Sequence, residues 1–221
     1  MQGYYVALLR LNAGVLCSTA TSKCMAEQMN SKLLVVATGN PGKLREMQAY
    51  LTDRDWELVL KPDELEIDET GDTFIANARL KASQVAKATG NWAIADDSGL
   101  EVAALNGAPG IYSARYGKDD SDRISRLLRE LGDTANRQAQ FVCAVAIASP
   151  DGAIALEEVG ICAGEILDTP RGAGGFGYDP IFYVPKQQMT FAEMPPQLKH
   201  QISHRGKAFQ ALLPKLQILS K

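Results

Sequence analysis

The chain has 221 residues, 46% of them hydrophobic and 22% charged, enough for one sizeable core and unlike collagen, coiled coils or wholly disordered chains. Its 23 basic and 26 acidic residues give a formal charge of -3, without the basic excess by which a general nucleic-acid binder displaces counterions. No apolar run approaches a membrane span, and Cys17, Cys24, Cys143 and Cys162 have no histidine close by in sequence, which argues against a zinc site and points to the reducing cytoplasm.

Residues 1–31 lack clean periodicity and read as a disordered N-terminal extension, with Met25 or Met29 as alternative starts. Arg10 and Asn12 break its apolar part, so it fits a secretory signal poorly. The domain is expected over 32–221. LLVVA at 33–37 is short and β-branched and is closed by a Thr-Gly-Asn-Pro-Gly turn, which predicts a buried strand. A helix follows, with Leu44, Met47 and Leu51 on one stripe. Asp72 or Thr73 caps a second helix carrying Phe74, Ala78 and Val85, ended by Thr89-Gly90-Asn91, with Asn77 and Lys81 on a shared face. The pattern then predicts a strand at 92–95, a turn over Asp96 to Gly99, an apolar stretch at 100–105 and a helix at 119–131. Segments 140–149 and 153–166, joined by Pro150-Asp151-Gly152, read as two long antiparallel strands, both expected to be largely buried. The glycine-rich loop 172–180 leads to a short strand, and a last helix bears Ala208, Leu212 and Leu216, which Pro214 is expected to kink or end. This order predicts an α/β fold with a mixed sheet rather than a doubly wound parallel one.

Three constellations carry chemistry. Thr38-Gly39-Asn40-Pro41-Gly42-Lys43 joins a buried strand to a helix start, so backbone N–H groups, the positive helix end and a lysine can converge on a phosphate. An ordinary tight turn has the same composition, but Lys43 opposes the helix dipole there, a cost that an anion between them removes. The glycines are too close for a P-loop, and Leu44 stands where Ser or Thr would be needed. Next, Glu69 together with Asp96 or Asp97 forms an acidic platform suited to Mg2+, which takes a few carboxylates plus water and phosphate; Asp-Asp-Ser-Gly is equally a composition for a turn with Asx hydrogen bonds. Adjacent residues of an extended chain face opposite ways, so the two aspartates need not act alike. Finally, Phe176-Gly177-Tyr178-Asp179, Lys199 and Ser203-His204-Arg205 combine a ring able to stack on a base with donors to its edge, although Phe176 also suits a core and His204-Arg205 a solvated helix start.

Together these blocks resemble the inosine triphosphate pyrophosphatase family. The matching stretches are TGNPGK at 38–43, ETGDTFIANARLKA at 69–82, AIADDSGLEV at 93–102, GAPGIYSARY at 107–116, GGFGYDPIF at 174–182 and ISHRGKA at 202–208, in family order across 33–213. The resemblance implies an elongated mixed α/β fold with two lobes and a central cleft, a homodimer, Mg2+ dependence, and hydrolysis of non-standard purine triphosphates (ITP, dITP, XTP, dXTP) to monophosphate and pyrophosphate. It further implies that Thr38, Gly39, Asn40, Pro41, Gly42 and Lys43 hold the triphosphate and that Glu69 and Asp97 serve the metal. Asp97 is the implied proton acceptor, and Ser98 touches substrate. Phe176, Gly177, Tyr178, Asp179, Lys199, His204 and Arg205 line the nucleoside pocket by the same resemblance, with Asn77, Lys81, Asp96 and Arg115 in support. A pyrophosphatase for other modified nucleotides and a catalytically inactive nucleotide sensor are the alternatives; neither nucleic acid nor membrane is an expected partner.

Overall fold

The computed structural model describes residues 32–51 and 56–219; the expected extension and its alternative starts lie outside them. Seven strands form one sheet in the order β2-β1-β3-β4-β5-β6-β7. β1 (Lys32–Val36) pairs in parallel with β2 (Trp56–Leu60) and with β3 (Trp92–Val102). β4 (Gln138–Ala148), β5 (Ile154–Ile166), β6 (Phe182–Val184) and β7 (Met189–Thr190) continue it antiparallel. The mixed α/β sheet expected from the element order is therefore the one observed.

Period-two alternation sorts the core onto the two faces. Leu34, Val36, Ile94, Cys143, Val145 and Ile147 face α1 (Pro41–Leu51) and the C-terminal helix, whereas Val35, Ala37, Ala93, Ala95, Ala144 and Ala146 face α2 (Phe74–Thr89). The α2 side is built from alanines on both partners, Ala78, Ala82 and Ala86 included, and small side chains let the helix lie close to the strands. Thr73 caps α2 by accepting a bond from Ala76 N at 3.2 Å, and Gly90 ends it at φ 66, as its sequence predicts. α3 (Asp120–Leu131) packs Ile124, Leu127 and Leu131 into a third cluster with Leu100, Phe141 and Phe182.

Three expectations need correction. The Asp96–Gly99 turn is instead the middle of an unbroken strand, because β4 pairs with β3 continuously from Ala93↔Ala148 to Val102↔Ala139. β5 is only half buried, with Val159 and Ile161 exposed. The last helices are α4 (Pro196–Ile202) and α5 (His204–Leu219), and α5 runs through Pro214 without ending. Pro214 and Gln210 are exposed, so water can take the carbonyl that the proline leaves unbonded, while Ala208, Phe209, Leu212 and Leu216 hold the buried side. Gly160 on β5 makes room for α5: a Cβ there would lie 2.1 Å from His204 O.

Candidate active site

The site grows from a fork in the sheet. β1 follows β3 only as far as Val36↔Ile94, Ala37 N adds one bond to Ile94 O at 2.8 Å, and the chain then leaves as Thr38–Asn40 while β3 continues along β4. One edge of β3 is thereby uncovered from Asp96 onward, a crevice of the kind that forms where neighbouring strands diverge. Asn40 caps α1, its Oδ1 accepting from Gly42 N at 2.8 Å and Lys43 N at 3.3 Å, while Asn40 N donates to Thr38 Oγ1 at 3.1 Å. The Asn40, Gly42 and Lys43 amides are thus already bonded, and a phosphate at Gly42 or Lys43 must compete with the Asn40 side chain. Pro41 sits at the first helical position, where its missing N–H costs nothing. Lys43, awkward at a helix N-terminus, finds its anion within the protein: its Nζ lies 3.3 Å from Asp96 Oδ2.

Asp96 and Asp97 project to opposite faces, as neighbours on a strand must. Asp96 meets Arg205, whose NH2 donates to Oδ2 at 2.8 Å, and both are almost wholly buried. Burial alone would raise the Asp96 pKa, but Lys43, Arg205 and Lys81 hold it well below the usual carboxylate range. Asp97 faces α2. Its Oδ2 accepts from Asn77 Nδ2 at 3.2 Å and its Oδ1 from Lys81 Nζ at 3.1 Å. Here burial prevails and pushes Asp97 above the ordinary aspartate range, with Lys81 and Lys43 offsetting only part of it. Two adjacent carboxylates are therefore driven apart in acidity, the pattern by which a site divides a permanent charge from a proton acceptor. Glu69 Oε1 reaches the same Lys81 Nζ at 2.7 Å, and exposed Arg115 donates from NH2 to Glu69 Oε2 at 3.0 Å.

At the other end, Gly175 and Gly177, at φ 74 and 62, turn the chain so that Phe176 N donates to Asp179 Oδ2 at 2.9 Å. Tyr178 OH anchors this loop on Ser113 O at 3.0 Å. Lys199 Nζ bonds Asp179 at 2.7 Å and Glu46 at 3.0 Å, and lies 5.1 Å from the centre of the Phe176 ring. Ser98 Oγ accepts from Arg205 NH2 at 2.8 Å. His204 is stacked on Phe141, with centroids 4.6 Å apart; burial, reinforced by the charges of Arg205 and Lys199, keeps its pKa well below normal and the ring neutral.

One cavity is lined by Asn40, Lys43, Ser98, Phe176, Lys199 and His204 together with Gly177, Tyr178, Asp179 and Arg205, so the first and third constellations share a single hollow. A roomier cavity, about 840 Å3, opens elsewhere between Glu101, Gln138, Glu165 and Lys186; none of the candidate site residues lines it, and its size alone does not make it the chemical site. Asp97, Glu69, Asn77 and Lys81 border the fork rather than the hollow, and Arg115 reaches them through Glu69. Sequence reading missed Glu46, which pairs with both Lys199 and Arg205; the available signal was its place three residues after Lys43, beside the buried stripe. It also missed Arg123, another lining residue, for which no local pattern spoke.

Glu69 and Asp97 place oxygens 2.7 and 3.1 Å from one nitrogen, so their carboxylates already converge on a cation position. Buried Asp96 Oδ1 has no hydrogen-bond partner among the described residues. No three acidic, histidine or cysteine groups among those residues gather into a complete metal cage. Such hard, incomplete oxygen sets fit Mg2+, which keeps waters and shares phosphate oxygens.

Fold and site together define a mixed-sheet α/β protein whose polar residues collect where β1 and β3 part. Residues 34–215 match the Ham1 family, and the chain belongs to that family. It is 75% identical over 186 residues to the dITP/XTP pyrophosphatase of Nostoc sp., covering 84% of this chain and 95% of that protein. With the dITP/XTP pyrophosphatase of Synechocystis sp. the identity is 62% over 180 residues, 81% of this chain and 93% of the relative. The solved HAM1 protein from Coxiella burnetii superposes with a TM-score of 0.78 at 45% identity, covering 84% of this chain and 98% of that one. The Staphylococcus aureus Ham1 protein gives 0.77 at 44%, covering 85% and 100%.

Proposed function

We propose that this chain hydrolyses non-standard purine nucleoside triphosphates, with ITP, dITP and XTP as the substrate class, to the monophosphate and pyrophosphate. The observation that carries the reading is the fork itself: Lys43 and the raised-pKa Asp97 stand on either side of one strand beside a hollow bordered by Phe176. The dITP/XTP pyrophosphatase relatives, so close in sequence, support the same substrate class. Lys43 and the residues of the Thr38–Gly42 loop hold the phosphates, and Asp96 keeps Lys43 and Arg205 in place as a fixed anion. Asp97 orders the attacking water and accepts its proton, while Asn77 and Lys81 fix the carboxylate. Mg2+ at Glu69 and Asp97 would neutralise phosphate charge and acidify a bound water. Arg115 keeps Glu69 turned toward Lys81.

At the base, Phe176 offers a ring for stacking. Two of the three Lys199 N–H groups go to Glu46 and Asp179, leaving one for a 6-keto oxygen; His204, being neutral, donates from one ring nitrogen. Adenine presents a 6-amino donor instead and leaves donor facing donor. A domain over 32–221 with residues 1–31 outside it, a homodimer and a cytoplasmic location belong to the same reading. The test is pyrophosphate release from ITP, dITP, XTP, ATP and GTP with and without Mg2+. Mg2+-dependent release from the first three at rates far above the last two is expected; equal rates overturn the specificity, and tight nucleotide binding without release would instead mark an inactive sensor.

A further inference from the structure

Arg123, in the first turn of α3, lines the hollow that Phe176, Lys199 and His204 also border. Its NH1 donates to Asp120 Oδ1 at 2.6 Å, and Asp120 Oδ2 accepts from Gly177 N at 2.6 Å. A single carboxylate thus ties the Arg123 guanidinium to the turn that presents the Phe176 ring. Arg123 Nε is shielded from solvent and has no hydrogen-bond partner among the described residues. An N–H on a charged group, sealed from water and unbonded, costs free energy, so this guanidinium is short of acceptors in the free protein. His204 Nδ1, on the same lining, is likewise buried without a partner among these residues. Lys199 and Arg205 have spent most of their donors on Glu46, Asp96 and Asp179, and among the described lining residues Arg123 and His204 are the ones with a buried side-chain nitrogen that has no partner.

We infer that Arg123 reads position 2 of the purine and is the residue that favours xanthine over guanine. The inference rests on the base-pocket reading given above. Hypoxanthine, xanthine and guanine share the 6-keto group and differ at C2, which bears a hydrogen, a carbonyl oxygen or an amino group. The xanthine O2 accepts from the guanidinium of Arg123, a lining residue whose side chain is 23% exposed, and because xanthine is the most acidic of the three bases, its ionised N3–C2–O2 edge makes that bond charge-assisted. Guanine brings an amino donor to the same place and leaves both N–H groups unpaired, a repulsive element of the kind that rejects a near-identical ligand. Hypoxanthine offers nothing there and leaves Arg123 as it stands in the free protein. Asp120 is the positioning residue: it aims the guanidinium without touching the base.

The test compares kcat/KM for XTP, ITP and GTP in the wild type and in Arg123→Met, which keeps the aliphatic bulk and removes the donor. The XTP to ITP ratio is expected to fall at least about tenfold, the scale of a lost charged hydrogen bond, and the GTP to ITP ratio to rise several-fold. Parallel losses on all three substrates, with both ratios within about twofold of wild type, would reduce Arg123 to a strut for the Gly177 turn and overturn the inference. Should Arg123→Met not fold, Arg123→Lys, which keeps the charge and removes the planar fork of donors, is read by the same ratios. Wild-type protein that hydrolyses none of the three defeats the base-pocket reading and this inference with it, whereas wild-type turnover with unmoved ratios defeats the inference alone.

Discussion

The Phe176 ring lies directly against Gly42: a Cβ added to that glycine would stand 2.7 Å from Phe176 Cδ1 and 3.1 Å from Asn40 Oδ1. The Thr38–Lys43 loop and the Phe176 ring, 134 positions apart in the chain, are therefore in van der Waals contact. Gly42→Ala must push the ring aside while leaving the helix start, where alanine is welcome, intact. We expect KM for ITP to rise on the order of tenfold, equivalent to about 1.4 kcal/mol of binding, with a smaller change in kcat and a melting temperature near wild type. An unchanged KM would show that the ring's place matters little to the substrate.

Asp97→Asn removes the proposed proton acceptor while keeping the side chain's shape; its one amide oxygen can still accept from Lys81, whereas its NH2 then meets the Asn77 Nδ2 donor. Single-turnover hydrolysis of ITP should slow at least about a hundredfold, the usual scale of general-base loss, with nucleotide still bound. Near-normal turnover of the purified variant would remove Asp97 from the chemistry.

Glu46 joins two buried cations at once, Lys199 and Arg205, and their charges hold its carboxyl below the usual range against the upward push of burial. Glu46→Gln leaves each cation with one remaining carboxylate, Asp179 or Asp96, so the cost should be about 1–3 kcal/mol rather than that of an abandoned charge. Urea unfolding measures it, and an unaltered midpoint would mean that Glu46 contributes nothing to the fold. Weaker ITP binding is expected alongside, because both cations border the hollow.

His204 sets a pH dependence of stability. Its folded pKa is depressed, by burial first and then by Arg205 and Lys199, so the unfolded chain takes up a proton near the ordinary histidine value while the folded one resists. The contribution is complete above about pH 6.5 and is lost progressively as pH falls toward the folded pKa. Between about pH 7.5 and about pH 5.5 the melting temperature of the wild type should therefore drop more than that of His204→Asn, which cannot titrate. Identical drops in the two proteins would show that other groups carry the effect.

Locally encoded features were legible from the sequence. The Thr73 and Gly90 caps, the Leu44, Met47 and Leu51 stripe and the short β-branched run at 33–37 each depend on neighbours a few positions away, and each stands in the structure as its pattern implies. Asp96-Asp97-Ser98-Gly99 misled because its composition belongs to turns, whereas the pairing with β4, more than forty residues on, holds it extended. Pro214 misled for a related reason: its penalty is local, but the packing of Leu212 and Leu216 on the opposite side is not. Glu46 stayed hidden because its partners lie 153 and 159 residues downstream. The convergence of Lys43, Ser98 and Phe176 could be expected from the family resemblance alone; periodicity contains no such information.

The central claim is that water is delivered from the Asp97 side of β3 to the phosphorus nearest the nucleoside, with pyrophosphate departing whole. Hydrolysis of ITP in 18O-labelled water, followed by mass spectrometry of both products, tests it most directly. The account predicts the heavy oxygen in the monophosphate and none in the pyrophosphate; label in the pyrophosphate, or release of inorganic phosphate instead, would contradict it.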